Sequence, residues 1–259
     1  MEKVAIVVVY YRENLSGDEQ ISLNHLLNHL RRYKKFLVIP NDINPKFSCD
    51  EFDVIRLEKK HFKSINRYSR LLVSESFYTM FDEFEYILIY QFDCLVFSDQ
   101  LEEWCNRDFD YVGAPWFKGF SESGDFLGVG NGGFSLRKIG SFIRVLNEPM
   151  PDFYSIKDIP FSKYSIYLYL VHNLLRLFRV KKFYRLYKYF FWGHEDYFWS
   201  YFSAFAELGF KKPNVNEALE FAFECNPEYC YDYIGKKLPF GCHGWNRFER
   251  REFWCRLIQ

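Results

Sequence analysis

The sequence predicts an α/β protein built on a mixed, mainly parallel sheet flanked by helices, with a helical segment inserted late in the chain. Three observations predict it. Largely apolar runs at Val4–Tyr10, Phe36–Ile39, Val54–Leu57 and Tyr86–Tyr90 contain no internal glycine or proline, as strands covered on both faces require. Between them, segments 20–33 and 64–81 read as helices. Polar and acidic residues gather where the strands end, the edge on which open α/β sheets bind ligands. Strand, helix, strand, strand, helix, strand is the opening of a nucleotide-binding layer.

Each element has its own warrant. Val4 to Tyr10 is a continuous β-branched run, with Tyr11, Arg12, Glu13 and Asn14 at its carboxyl end. From Gln20 to Tyr33, Ile21, Leu23, Leu26, Leu27 and Leu30 recur at helical spacing. Phe36–Ile39 closes at Pro40-Asn41-Asp42, and Val54–Leu57 leads into Glu58-Lys59-Lys60-His61. The strand at Tyr86–Tyr90 stops at Gln91-Phe92-Asp93 and resumes as the apolar run Cys94–Phe97. An acid at such a strand end is costly to bury without a cationic partner, so Asp93 either faces a ligand or caps a turn. Ser98 is expected to cap a short helix running to Trp104. Tyr111–Trp116 reads as a strand entering a loop. Gly128-Val129-Gly130-Asn131-Gly132-Gly133 then holds four glycines in six residues. Its backbone must turn tightly or approach something closely; Asn-Gly also signals a hairpin.

Composition narrows the class. The 259 residues suit a single domain over 1–259, carrying the insert at 155–191. A net charge of zero gives no global field for nucleic acid. The opening strand–helix layer carries neither G-x-G-x-x-G nor G-x-x-x-x-G-K, so dinucleotide and phosphate-loop folds are unsupported. Seven scattered cysteines without C-x-x-C argue against a disulfide framework or structural zinc and for a reducing compartment. The apolar run at the start is too short and too early for a signal peptide, and no stretch is long enough to span a membrane. A cytoplasmic protein is expected.

Between Phe161 and Trp192 stand seven Lys or Arg residues and no acid, interleaved with leucines and aromatics. Such a basic, amphipathic segment is what an interfacial helix looks like, so 161–192 is expected to hold the protein at an anionic membrane surface. A helical hairpin packed on its own domain is the equal alternative. Next, Trp192-Gly193-His194-Glu195-Asp196 sets two adjacent carboxylates at a helix start. The helix dipole favours acids there, but a carboxylate among aromatics is also raised toward the pKa of a general base. Leu219–Phe223 starts another strand or helix. Phe240-Gly241-Cys242-His243-Gly244-Trp245 offers one imidazole between small residues, available as a metal ligand or structural.

Taken together, Tyr-Gln-Phe-Asp-Cys (90–94), Gly-Ala-Pro-Trp (113–116), Gly-Asn-Gly-Gly-Phe-Ser-Leu-Arg (130–137), Trp-Gly-His-Glu-Asp (192–196) and Phe-Gly-Cys-His-Gly-Trp (240–245) resemble a GT-A-type glycosyltransferase. The likeness is greatest to an uncharacterised bacterial and phage family of predicted glycosyltransferases, and more distant to the β-1,4-galactosyltransferases. It covers about residues 1–150 and 190–250 and implies a GT-A-like, Rossmann-like fold.

The resemblance implies an inverting, metal-dependent hexosyl transfer from a nucleotide-sugar donor to a glycan or lipid-linked acceptor in surface polysaccharide synthesis. The basic segment, which lies outside the resemblance, adds the expectation of a place at the inner face of the plasma membrane. Asp93 and His243 match the metal ligands, for Mn²⁺ or else Mg²⁺. Gln91 stands where the family has a first acid, which leaves fewer negative charges for the metal. Asp196 matches the base, with Glu195 orienting it, binding the acceptor or standing in reserve. Asn131, Gly132 and Gly133 would lie beside the donor sugar. Tyr10, Arg12, Arg70 and Gln91 are expected on the donor, and Trp116, Trp192 and His194 on the acceptor. A nucleotide-sugar or carbohydrate-binding module with lost catalysis, or a retaining transferase, is the alternative.

Overall fold

In a computed structural model the described residues are 2–117, 126–147, 194–201 and 209–258. The expected fold class is what the chain adopts. Six strands form the main sheet in the order β3-β2-β1-β4-β9-β6. These are β1 (Glu2–Val9), β2 (Lys34–Pro40), β3 (Asp53–Leu57), β4 (Phe84–Tyr90), β6 (Tyr111–Gly113) and β9 (Phe134–Lys138). The first four pair in parallel, and β9 runs antiparallel between β4 and β6. Apolar side chains alternate to both faces: Ala5, Val7, Ile87 and Ile89 join one core cluster, while Ile6, Val8, Tyr86 and Leu88 join the other. Both faces must therefore be covered, by α1 (Gly17–His29) and α4 (Leu101–Asn106) on the second cluster's side and by α2 (Ile65–Leu72), α3 (Glu75–Tyr78) and α5 (Ile139–Asn147) on the first.

A smaller sheet positions the site. The apolar run after Asp93 is β5 (Cys94–Val96), which leaves the main sheet and pairs antiparallel with β11 (Gly241–His243). Parallel to β11 lies β10 (Ala222–Phe223), and the register sets His243 opposite Cys94. The chain's last third therefore closes over the carboxyl end of β4. It contains α7 (Val215–Phe221), α8 (Pro227–Tyr233) and α9 (Phe248–Leu257); α6 (Glu195–Tyr201) precedes them.

Three local expectations change. The helix expected over 64–81 breaks after Leu72, where Val73 leaves helical geometry and the Ser74 hydroxyl donates to the Leu71 carbonyl at 2.6 Å, so the chain restarts as α3. Ser98 does not cap α4. The cap is Gln100, without a side-chain bond, while Asp99 is drawn outward to Arg32 and Tyr33. The glycine-rich run is not a hairpin turn, because β8 (Phe126–Val129) pairs with β7 (Pro115–Phe117) and β9 belongs to the main sheet. No disulfide forms among the seven cysteines. The insert at 155–191 and Trp192 lie outside the described residues.

Candidate active site

Pairing of β4 with β9 places Gln91 beside Gly133, whose carbonyl accepts from the Gln91 amide at 3.0 Å. Cys94 N–H then bonds back to the Gln91 carbonyl at 2.9 Å, folding residues 91–94 into a turn that presents Asp93. From the other side, β11 delivers His243, and Trp245 N–H reaches the Asp93 carbonyl at 3.1 Å. Two segments about 150 residues apart thus converge. His243 Nε2 lies 3.1 Å from Gln91 Oε1 and 3.4 Å from Asp93 Oδ1, which is buried and makes no hydrogen bond.

Behind the ring, His243 Nδ1 faces Glu224 Oε1 at 3.2 Å and Asn131 Nδ2 at 3.0 Å. Glu224 holds its other oxygen on Trp116 Nε1 at 3.0 Å. Burial opposes charge on the imidazole, but Asp93 and Glu224 outweigh it and hold the His243 pKa up to about 10. Burial likewise opposes ionisation of Asp93 and Glu224, yet His243 and nearby arginines keep both carboxyls below their usual range. Glu224 was missed by sequence reasoning. The available signal was an acid at the end of the short apolar run Phe221–Phe223, the same signature as Asp93. Asn131 is otherwise occupied too: its Oδ1 accepts from the Gly133 and Phe134 amides, so it braces the glycine run and the ring.

The glycine run is a floor for α6 and His243. A Cβ on Gly130 would overlap Ser200 Oγ, one on Gly132 would come within 2.5 Å of Glu195 Oε1, and one on Gly133 would collide with the His243 ring. Close approach of α6 side chains and of the His243 ring is what demands glycine here. It separates the two acids of α6. Glu195 turns inward to Arg137, a cation with no exposed surface, at 3.0 Å. Arg137 also donates to Ser135, to the Tyr78 hydroxyl and to the Gly132 carbonyl. Burial disfavours its charge, but Glu195 more than restores it. Asp196 faces the cleft. Burial first, then Glu195 and Glu224, push its pKa up to about 7. One acid is neutralised by structure and the other is poised to exchange a proton near neutrality.

Two clefts meet at this point. The larger, about 700 Å³, is lined by Tyr10, Arg12, Lys63, Phe92, Asp93 and Asn246 among others. A second, about 390 Å³, is lined by Trp116, Gly132, His194, Asp196, Glu224 and His243 among others. Ile65, Tyr68 and Gln91 border both. Tyr10 and Arg12 therefore sit together in the first cleft, where both engage Glu19. Trp116 stacks on Tyr197 at 4.8 Å in the second, beside the exposed His194. Arg70 lines neither cleft.

The donor set at the junction can be tested for a cation. Among the described residues no group of three His, Cys, Asp or Glu side chains converges as a metal site. What converges is one carboxylate oxygen without a hydrogen bond, one imidazole nitrogen and the Gln91 amide oxygen, with Glu224 behind the ring as metal-bound histidines commonly have. Such hard oxygen and nitrogen donors fit a divalent ion whose remaining positions are filled by phosphate or water.

Among solved structures the chain is similar to the apo-form glycosyltransferase GlyE of Streptococcus pneumoniae TIGR4, at 13% identity and a TM-score of 0.46, over 100% of this chain and 61% of that one. A second GlyE structure gives 13% identity and a TM-score of 0.41, again over 100% and 61% of the two chains. The chain thus spans less than two thirds of GlyE's length. It is also similar to the galactosyltransferase LgtC in complex with donor and acceptor sugar analogs, at 11% identity and a TM-score of 0.42, over 96% of this chain and 94% of that one. No curated protein matches the chain. Residues 51–243, about three quarters of the chain, match the family model described as "Protein of unknown function (DUF5672)", and the chain belongs to that family.

Proposed function

We propose that this protein is an inverting, metal-dependent glycosyltransferase that moves a hexose from a nucleotide sugar to a hydroxyl of a glycan or lipid-linked acceptor. The observation that carries the reading is Asp196: a carboxyl pushed up to about 7, lining a cleft that opens onto a larger one across Gln91. The larger cleft takes the nucleotide, with Tyr10 and Arg12 on its wall, and the donor sugar lies at the junction beside Gly132 and Gly133. The smaller takes the acceptor, against the stacked Trp116 and Tyr197 and beside His194.

In the reaction the acceptor oxygen attacks C1 of the donor sugar and its proton passes to Asp196. The C1–O bond to the diphosphate breaks, and that oxygen keeps the bonding pair. Asp196 in this role contributes about 10²–10⁴-fold. Glu195, bound to Arg137, holds the α6 turn that aims Asp196. Asp93 and His243 would hold the metal, Mn²⁺ before Mg²⁺, with Gln91 Oε1 beside them, and the bound ion would neutralise charge on the leaving diphosphate. The convergence of Asp93 Oδ1, His243 Nε2 and Gln91 Oε1 at one point supports the assignment.

The work is assigned to surface polysaccharide synthesis at the inner face of the plasma membrane, with residues 161–192 as the basic membrane-facing segment. Incubation with uridine and guanosine diphosphate sugars and Mn²⁺, scored by nucleotide release and by the anomeric configuration of the product, tests the whole reading. Turnover with inversion is expected, lost in Asp196→Asn with donor binding kept. Absence of turnover for every donor, with donor still bound, would instead identify a binding module.

A further inference from the structure

Turn 244–247, which ties β11 to α9, leads from His243 back across the junction of the clefts. Trp245 N–H is bonded to the Asp93 carbonyl at 3.1 Å, and Arg247 N–H closes the turn on the Gly244 carbonyl at 3.3 Å. Consecutive residues then face different spaces: Asn246 lines the larger cleft and Arg247 the smaller. Gly244 has φ of 63° and a Cβ there would approach the Arg247 and Arg250 side chains, so the turn is shaped around these guanidiniums.

The two arginines differ in what occupies them. Arg250 is buried, donates to the His243 carbonyl and to Cys225, and lies 3.9 Å from Glu224. Arg247 is exposed, and among the described residues its guanidinium makes neither hydrogen bond nor ion pair. Five other exposed arginines are satisfied by acids: Arg31 by Glu51, Arg32 by Asp99, Arg107 by Glu220, Arg251 by Asp18 and Arg256 by Glu228. Exposed Arg67, which has no such partner among the described residues, lines neither cleft. In the larger cleft Arg12 is taken by Glu19. A cation left open beside a lone carboxylate needs an anion, and a guanidinium fork matches phosphate oxygens two at a time.

We propose that Arg247 binds the diphosphate of the nucleotide donor directly, at the junction of the two clefts. The inference rests on the glycosyltransferase reading above and deepens it. With Gln91 in place of a second acid, Asp93 is the one carboxylate offered there to a metal, and Arg247 supplies fixed positive charge on the same group. As the C1–O bond breaks, the charge arriving on the diphosphate meets this guanidinium, while the proton goes to Asp196.

The test is calorimetric titration of the full chain with uridine and guanosine diphosphates and the matching monophosphates, with Mn²⁺ and with chelator. Arg247→Gln is expected to weaken diphosphate binding about 10- to 100-fold and monophosphate binding much less, in chelator as well as in Mn²⁺. Arg251→Gln, which removes the same charge one turn along α9, should leave both unchanged. Equal diphosphate affinity for wild type and Arg247→Gln, or an equal loss for monophosphates, overturns the proposal and leaves the transferase reading standing. Failure of the wild type to bind any nucleoside diphosphate overturns both.

Discussion

At Asp196 a carboxyl suited to catalysis is a burden on folding. Its pKa of about 7 in the folded chain, against an ordinary value of 3.8, means that the native state binds this proton more tightly than the unfolded one. Stability is therefore lost as pH rises from about 4 to about 7 and stays reduced above. Asp196→Asn should raise Tm relative to wild type at pH 8 and leave it nearly unchanged at pH 4, as read by thermal melts in matched buffers. The rate has the opposite sign. A base must be ionised, so kcat/KM should fall as pH drops through about 7, and this limb should vanish in Asp196→Asn along with about 10²–10⁴-fold of rate. That Glu195 and Asp196 stand together in a helix start was legible in the sequence, from two acids among aromatics. Their division of labour was not, because it depends on Arg137, which is 58 residues away and meets only Glu195.

Among the elements, the glycine run and α6 carry the most constraint. Gly133→Ala would push a methyl into the His243 ring and towards Gln91 Oε1, so donor binding and activity should collapse with a modest change in melting. Gly113→Ala would meet the Asn131 backbone instead, and should lower stability first, measured by urea unfolding. The buried Arg137–Glu195 pair ties β9 to α6. Breaking it with Arg137→Met leaves Glu195 buried and uncompensated, at a cost of about 3–5 kcal/mol in the same unfolding assay. Sequence periodicity identified β1, β2, β4 and α1 because their apolar spacing is regular. It overran α2, since Ser74 ends the helix through a single hydroxyl bond that no period records. It also gave no account of α8 and α9, short helices whose stability comes from packing Cys230, Phe253 and Trp254 against the small sheet.

Across the whole molecule, the organising relation is that two clefts share a border at Ile65, Tyr68 and Gln91, with Asp93 and Asp196 on opposite sides of it. A donor and an acceptor held so would meet with the base on the acceptor's side. No described helix is long and apolar enough to cross a membrane. Deleting residues 160–190 should abolish flotation with anionic vesicles, and rising salt should weaken it in the intact protein. Equal flotation of the deletion variant would assign the segment to packing on its own domain.

The sequence by itself determined the α/β class, the strand-end position of Asp93 and the need for a tight turn or close approach at Gly128–Gly133. Each of these follows from local chemistry: side-chain period, the cost of burying an acid, the missing Cβ. Only the tertiary structure decided that β5 departs from the main sheet to pair with β11, and so brings His243 and Arg247 to Asp93. It alone assigned Glu224 to the back of His243, Asn131 to bracing rather than open contact, and Arg137 to one acid of an adjacent pair. Those choices are made by contacts between residues 19 to 152 positions apart, and the energy of a charge depends on what it meets in space.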